Sequence, residues 1–123
     1  MTGEDVRRTS EAGDASAPDD LEVNFRRVDV SRGLCVLEIR GDLDIAVARS
    51  LMFELDELLA VGAPRVGVDL SGVPFMDSSA LSALVRARER AAGRGQSFDL
   101  LRPSLACAKV LSLTGLDHVF GVR

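Results

Sequence analysis

The sequence of 123 residues contains no tryptophan and no tyrosine, and aromatic residues make up only 4% of it. Leu, Val and Ala must therefore fill any core, and the chain has no aromatic platform on which nucleic-acid bases could stack. It also lacks an excess of positive charge, because 15 basic residues stand against 19 acidic ones for a net charge of −4. Binding to a phosphate backbone depends on such an excess. We therefore expect no nucleic-acid partner.

Cysteine and histidine are also rare, with two residues and one residue respectively. Cys35 and Cys107 lie among apolar residues without the CxxC spacing of metal and redox sites, so we expect two buried free thiols. His118 is the only histidine and lies near the C-terminus, and the residues around Ser78 lack the small residues that flank the serine of a nucleophile elbow. A Ser–His catalytic pair is therefore not indicated.

Motifs for cofactor and metal binding are missing as well. No glycine-rich run with a lysine precedes a helix, as a phosphate-binding loop requires. The pair Asp42 and Asp44 has no His or Glu at a spacing that would complete a metal site. We predict a protein that is not an enzyme and that binds no cofactor and no metal ion.

Long apolar runs are absent too. No segment approaches the about 18 apolar residues of a membrane-spanning helix, and the N-terminus has no signal-peptide core. Together with the two free thiols, which suit a reducing compartment, this indicates a cytoplasmic protein without a membrane partner.

Residues 1–20 hold almost no apolar side chains and are rich in Asp, Ser, Gly and Ala. Such a segment cannot bury enough surface to offset the entropy lost on ordering, so the composition predicts a disordered N-terminal tail. Residues 21–123 are then one domain, which is long enough to close one modest core.

Within that domain, four segments have the pattern of strands. The first two flank a turn at residues 31–33 and predict an antiparallel hairpin. The other two are short apolar runs typical of buried strands. Residues 117–122 either add a last short strand or cover the core. The four segments are residues 21–30, 34–40, 65–70 and 97–101.

Apolar residues at helical spacing predict three amphipathic helices. The first covers about residues 46–60, with Asp44 placed to cap it. The second begins near Asp77, and the third covers residues 105–113, between Ser104 as its cap and Gly115 as its end. The residues of the second helix that are expected to face the core are Leu81, Leu84, Val85, Arg88 and Ala92, with the stem of Arg88 at the edge of this stripe.

The element order is therefore β-β-α-β-α-β-α. It predicts an α/β fold with a mixed β-sheet of about four to five strands, covered by the amphipathic helices and joined by right-handed crossovers.

Asp77, Ser78 and Ser79 are three consecutive residues of the capping type at the start of the second helix. Unpaired backbone N–H groups and the positive end of the helix dipole gather at such a position. One cap needs only one of the three residues, so capping alone leaves the other two unexplained. The apolar stretch at residues 73–76 just before them is expected to expose a patch around the hydroxyl groups.

Four stretches are typical of one family: Gly-Asp-Leu-Asp at 41–44, Val-Asp-Leu-Ser at 68–71 followed by Val73, Phe-Met-Asp-Ser-Ser-Ala-Leu at 75–81, and Leu-Thr-Gly-Leu at 113–116. With them the chain resembles the STAS domain of anti-sigma-factor antagonists, from about residue 21 to residue 122. The Asp-Ser-Ser segment between a strand and a helix is the most specific of these features.

The resemblance implies a switch on a bacterial sigma factor. In this family the unmodified antagonist binds an anti-sigma factor that is also an ATP-dependent serine kinase, and the sigma factor is released. The kinase phosphorylates the serine directly after the aspartate, the complex dissociates, and a metal-dependent serine phosphatase restores binding. ATP is bound by the kinase and not by the antagonist.

Carried over by position, the resemblance implies that Ser78 is the phosphoacceptor. The residues expected at the partner surface are Gly41, Asp42, Asp44, Met76, Asp77 and Ser79. The family commonly has glycine at the position of Ala80, and the alanine methyl group is expected to affect how closely the kinase approaches.

Two other readings of the residues stay open. The domain could be a STAS-type scaffold or a subunit of a larger complex, with Ser78 as a helix cap only. It could also be a sensor that binds a small ligand near Asp44 and the Asp77 loop. Modification of Ser78 by a kinase favours the switch, whereas thermal shifts with a ligand alone favour the sensor.

Overall fold

The computed structural model describes residues 23–122. The predicted tail, residues 1–20, and the first residues of the predicted first strand lie outside this part of the chain. In chain order the elements are β1 (Asn24–Ser31), β2 (Leu34–Arg40), α1 (Ala48–Ala60), β3 (Arg65–Gly72), α2 (Ser78–Gly93), β4 (Ser97–Leu101), α3 (Leu105–Thr114) and β5 (Gly121–Val122). A 3-10 turn at Ile45–Val47 precedes α1, and a second one at Leu116–His118 precedes β5.

The hairpin of β1 and β2 is antiparallel, as predicted, with Asn24 opposite Arg40. Its turn places Arg32 at φ 53° and Gly33 at φ 75°. Two consecutive positive φ angles give the mirror-image turn whose twist matches that of the flanking strands. A β-carbon at Gly33 would lie 2.8 Å from the Pro64 side chain, which is a second reason for glycine there.

The five strands form one mixed sheet in the order β1-β2-β3-β4-β5. From β2 to β5 neighbouring strands are parallel, with the pairs Leu37–Val68 and Val68–Leu100 in register. Residues 117–122 thus both add a last short strand, β5, and cover the core, where Phe120 is 4% exposed. The strands lie side by side in the order in which they occur in the sequence. When all the crossover connections have the same handedness, this order places every helix on the same face of the sheet.

That face holds the core. Alternate residues of β2, β3 and β4 pack with α1, α2 and α3 in a single buried cluster. Leu, Val and Ala dominate the cluster, as the scarcity of aromatic residues predicts. The two thiols, Cys35 and Cys107, are free and buried, also as predicted.

The buried face of α2 differs from the predicted stripe. Leu81 and Leu84 are buried and Arg88 is half-buried, as predicted, but Val85 is only half-buried and Ala92 is exposed. The helix touches both α1 and β4, so its buried arc extends further round than one stripe, and short side chains fill it because α1 lies alongside. The residues missed are Ala80, Ala83, Ala87 and Ala91.

Within residues 23–122 no helix is both long enough and apolar enough to cross a lipid bilayer.

Candidate functional site

Three loops follow β2, β3 and β4 at one edge of the sheet, where the carboxyl ends of these parallel strands meet. In α/β sheets this edge is where ligands and partners commonly bind. The first loop is residues 41–44, the second is residues 73–77 and the third is residues 102–104.

Backbone hydrogen bonds join the first loop to the second. The Leu43 N–H donates to the Phe75 carbonyl at 2.9 Å, and the Asp77 N–H donates to the Leu43 carbonyl at 3.0 Å. Leu43 and Met76 consequently form an isolated parallel bridge beyond the ends of β2 and β3. This pairing brings the Asp42 and Asp44 loop next to Asp77, as the resemblance implies and as the sequence spacing alone could not show.

Ser78 is the first residue of α2, and Asp77 caps the helix. Asp77 Oδ1 accepts hydrogen bonds from the backbone N–H groups of Ser79 at 2.9 Å and Ala80 at 3.2 Å. Ser79 is half-buried, whereas Ser78 is exposed. Within the described residues, the Ser78 hydroxyl makes no hydrogen bond with another protein group. Capping is thus done by the aspartate, and the hydroxyl is presented to solvent.

The stretch at residues 73–76 does not form a continuous exposed patch, which corrects the prediction. Val73 is fully buried and Met76 is 3% exposed, so the Met76 side chain belongs to the core and cannot contact a partner. Met76 is held against the core by its bridge with Leu43, which is itself fully buried. Pro74 and Phe75 remain at the surface.

Ala80 also points inward. It is 1% exposed and packs in the core cluster, so its methyl group is not in the way of an approaching kinase. The prediction that the Ala80 methyl group affects how closely a kinase approaches therefore finds no support, because this methyl group is not at the surface.

The third loop is tied to the second by Ser104, which caps α3 as predicted. Its hydroxyl accepts a hydrogen bond from the Cys107 N–H at 3.1 Å and donates to the Val73 carbonyl. The Cys107 thiol, 3.6 Å from the same carbonyl, reinforces this link. Burial raises the pKa of the Cys107 thiol, although hydrogen bonds with Ser104 act in the opposite direction.

A buried carboxylate on the other face of the sheet holds the third loop by a hydrogen bond from Arg102. The sequence patterns do not predict this residue as part of the site. Asp69 on β3 is 5% exposed and accepts hydrogen bonds from the Ser71 N–H and hydroxyl and from the Arg102 guanidinium. Burial by itself would raise the pKa of Asp69, but the hydrogen bonds from Arg102 and Ser71 lower it below its ordinary value. Arg102 has φ 46°, an unusual angle for a residue other than glycine.

The site therefore has an exposed hydroxyl at a helix start and three carboxylates, of Asp42, Asp44 and Asp77, on the adjoining loops. Asp44 is itself engaged, since it accepts a hydrogen bond from the Ala46 N–H at 3.0 Å. In the described part of the chain no three His, Cys, Asp or Glu side chains are grouped to hold a metal ion. The hydroxyl and the carboxylates are thus polar groups of one edge of the sheet, next to the start of α2.

Comparison with known proteins agrees with this geometry. The family described as the Mlab STAS domain matches residues 12–122. The anti-sigma-F factor antagonist RsfB of Mycobacterium tuberculosis is 30% identical over 105 residues, which are 85% of this chain and 83% of that protein. The relative is thus named as a regulator and not as an enzyme.

Solved structures show the same architecture. The crystal structure of an anti-sigma factor antagonist from Mycobacterium paratuberculosis superposes with a TM-score of 0.75 at 28% identity, covering 89% of this chain and 90% of that one. Unphosphorylated SpoIIAA shares the fold with a TM-score of 0.68 at 22% identity, over 81% and 88% of the two chains. The chain belongs to the STAS-domain family of anti-sigma-factor antagonists.

Proposed function

We propose that this protein binds an anti-sigma serine kinase in its unphosphorylated form, so that the sigma factor is freed, and that phosphorylation of Ser78 ends the binding. The observation that carries the proposal is the exposed Ser78 hydroxyl, which is free of structural hydrogen bonds while Asp77 caps the helix beside it. A kinase can reach such a hydroxyl without unfolding any part of the domain.

The physical effect of phosphorylation falls on the interface rather than on the fold. A phosphoryl group adds a charge of about −1.5 to −2 at neutral pH. At a helix N-terminus negative charge is stabilising by roughly 0.3–1 kcal/mol. The same charge added beside Asp42, Asp44 and Asp77 must be desolvated when a partner docks, which costs several kcal/mol if it is poorly paired. About 1.4 kcal/mol already weakens binding tenfold.

The remaining partners follow from the cycle. ATP is bound by the kinase, and a serine phosphatase removes the phosphoryl group from Ser78 to restore binding. We also propose that the protein acts in the bacterial cytoplasm in transcription regulation, with no contact of its own to nucleic acid or membrane.

The test is phosphorylation by a partner. The protein is incubated with ATP and each purified anti-sigma serine kinase of the source bacterium, and its intact mass and peptide masses are then recorded. We expect a gain of one phosphoryl group on Ser78, and none in Ser78→Ala, which still binds the kinase. Ser82, exposed one turn further along α2, serves as the matched control, and Ser82→Ala is expected to be modified normally.

Failure of every kinase to bind or modify the protein would refute the proposal. Stable binding without any modification would instead indicate the scaffold role. A small molecule that raises the melting temperature when no kinase is present would indicate the sensor.

A further inference from the structure

Three helices begin at the edge of the sheet where Ser78 lies. They follow β2, β3 and β4, which are neighbours in the sheet, so the three helix starts are arranged in the same order. Each start has a capping side chain: Asp44 before the 3-10 turn that runs into α1, Asp77 before α2 and Ser104 before α3. The residue directly after each cap is exposed. The central one is Ser78, and the two on either side are Ile45 and Leu105.

The two outer residues are large, apolar and unusually open to solvent. Ile45 is 75% exposed and Leu105 is 92% exposed. First-turn positions of helices favour acidic residues and proline, so the local structure gives no reason for isoleucine or leucine there. Neither side chain belongs to the core cluster.

A third large apolar side chain, Phe75, lies on the same edge and is 48% exposed. Its carbonyl accepts the hydrogen bond from the Leu43 N–H, so Phe75 is held beside the first loop, and only Asp44 separates Leu43 from Ile45 in the sequence. Leu105 adjoins the same second loop, because Ser104 donates to the Val73 carbonyl. Each of the three loops thus has one exposed apolar side chain, which lies within the second loop (Phe75) and directly after the first and third (Ile45 and Leu105).

Isolated exposed apolar residues are ordinary on protein surfaces and need no explanation. What distinguishes Ile45, Phe75 and Leu105 is that each lies in or directly after one of three loops that hydrogen bonds join to one another. The Ser78 hydroxyl lies on the same edge. Side chains of this size are the usual anchors of protein interfaces when a partner's pocket covers them.

We infer that Ile45, Phe75 and Leu105, named here the apolar anchors, bind the protein partner that acts on Ser78. The inference rests on the proposed function, because a kinase that transfers phosphate to Ser78 must place its own surface over this edge. The neighbouring carboxylates of Asp42 and Asp44 specify the chemistry of that surface. It has apolar pockets for the anchors and basic side chains around them.

The test compares single alanine variants of the three anchors for binding to the kinase that phosphorylates Ser78. Dissociation constants are measured by calorimetry, and kcat/KM for phosphorylation is measured in parallel. Each variant is expected to weaken binding about tenfold and to lower kcat/KM by a similar factor, as interface anchors do. Melting temperatures are expected to stay at the wild-type value, because the deleted side chains are exposed.

The chain offers a matched control for each anchor at an exposed position away from this edge. Phe53 on the outer side of α1 is 60% exposed, Val61 at the end of α1 is 56% exposed, and Leu113 at the far end of α3 is 77% exposed. Alanine variants of these residues lose a similar apolar area from the surface. They are expected to bind the kinase with less than a twofold change.

The outcomes separate the inference from the function on which it rests. If the kinase binds and modifies the wild type but treats the anchor variants like the controls, the inference is overturned and the proposed function stands. If no kinase binds the wild type, both fall. Sedimentation analysis gives one more contrary result: a wild-type dimer that Leu105→Ala dissociates would show that the anchors bind a second copy of the chain instead.

Discussion

Asp77 and Ser78 divide two tasks that the sequence places on adjacent residues. One carboxylate oxygen of Asp77 satisfies two of the N–H groups that a helix leaves unpaired at its start. The Ser78 hydroxyl is therefore not needed to cap the helix. The residue that stabilises the fold and the residue proposed to be phosphorylated can then change independently of each other.

The division predicts different effects for two substitutions of Asp77. Asp77→Ala removes the cap and should lower the free energy of unfolding by about 1 kcal/mol. Asp77→Asn keeps a capping oxygen, so stability should stay close to wild type while phosphorylation of Ser78 slows, because the carboxylate charge is lost beside the partner. Urea unfolding and a kinase assay measure the two effects. Asp77→Asn with normal kinetics would leave Asp77 a cap and nothing more.

Asp69 makes a second prediction, for the dependence of stability on pH. Its pKa is lower in the folded protein than in the unfolded chain, where a value of about 3.9 applies. A group of this kind contributes stability that is fully present above the unfolded pKa and is lost as pH falls through the folded pKa. Unfolding free energies should therefore fall more steeply below about pH 4 in wild type than in Asp69→Asn. Parallel curves would contradict the assignment.

The helices and strands themselves were largely predictable. The segment 97–101 and the starts of the second and third helices agree with the structure, because caps, glycine stops and apolar periodicity act locally. Pairing between distant loops could not be predicted from such signals. The bridge between Leu43 and Met76 joins residues far apart in the sequence, and it is this bridge that turns Met76 inward.

The same reason accounts for two other misses. The buried arc of α2 runs through its alanines because α1 lies beside it, and a single-helix pattern does not contain that neighbour. In the sequence, Asp69 is a single polar residue in a predicted buried strand. Only the fold shows that Arg102 and Ser71 donate hydrogen bonds to its carboxylate. Motif resemblance, by contrast, located Ser78 and the loop at 41–44 correctly as neighbours on one edge.

The packing of the helices on the sheet predicts low reactivity of both cysteines, which lie in the same core cluster. Cys107 lies on the buried face of α3 and is fully buried, Cys35 on β2 is 5% exposed, and burial raises the pKa of both thiols. An aromatic disulfide reagent at mildly alkaline pH should therefore react slowly with the native protein and rapidly in denaturant. Fast reaction of one thiol under native conditions would show that its element opens locally.

In the molecule as a whole, the order and direction of the strands determine which edge of the sheet holds the helix starts. Since β2, β3 and β4 are parallel and each is followed by a helix on the same face, all three helix starts meet at one edge. The proposed modification and docking both use this edge, while the core lies behind it. A charge added at Ser78 can change the surface and leave the packing of the sheet and helices as it was.

Substitution of Ser78 by aspartate imitates part of that charge. Ser78→Asp should bind the kinase at least tenfold more weakly than wild type, because a poorly paired carboxylate must be desolvated in the interface. Ser82→Asp puts the same charge one turn away, at an exposed position of α2, and should bind with little change. Equal losses in both variants would point to overall charge rather than to the site.

The most direct measurement is calorimetric titration of the kinase with the protein phosphorylated only at Ser78 and with the unmodified protein, alongside denaturant unfolding of both forms. The phosphorylated form should bind at least tenfold more weakly, while its unfolding free energy should equal or exceed that of the unmodified form by up to about 1 kcal/mol. Equal affinity of the two forms, or loss of the folded state on phosphorylation, would contradict the account.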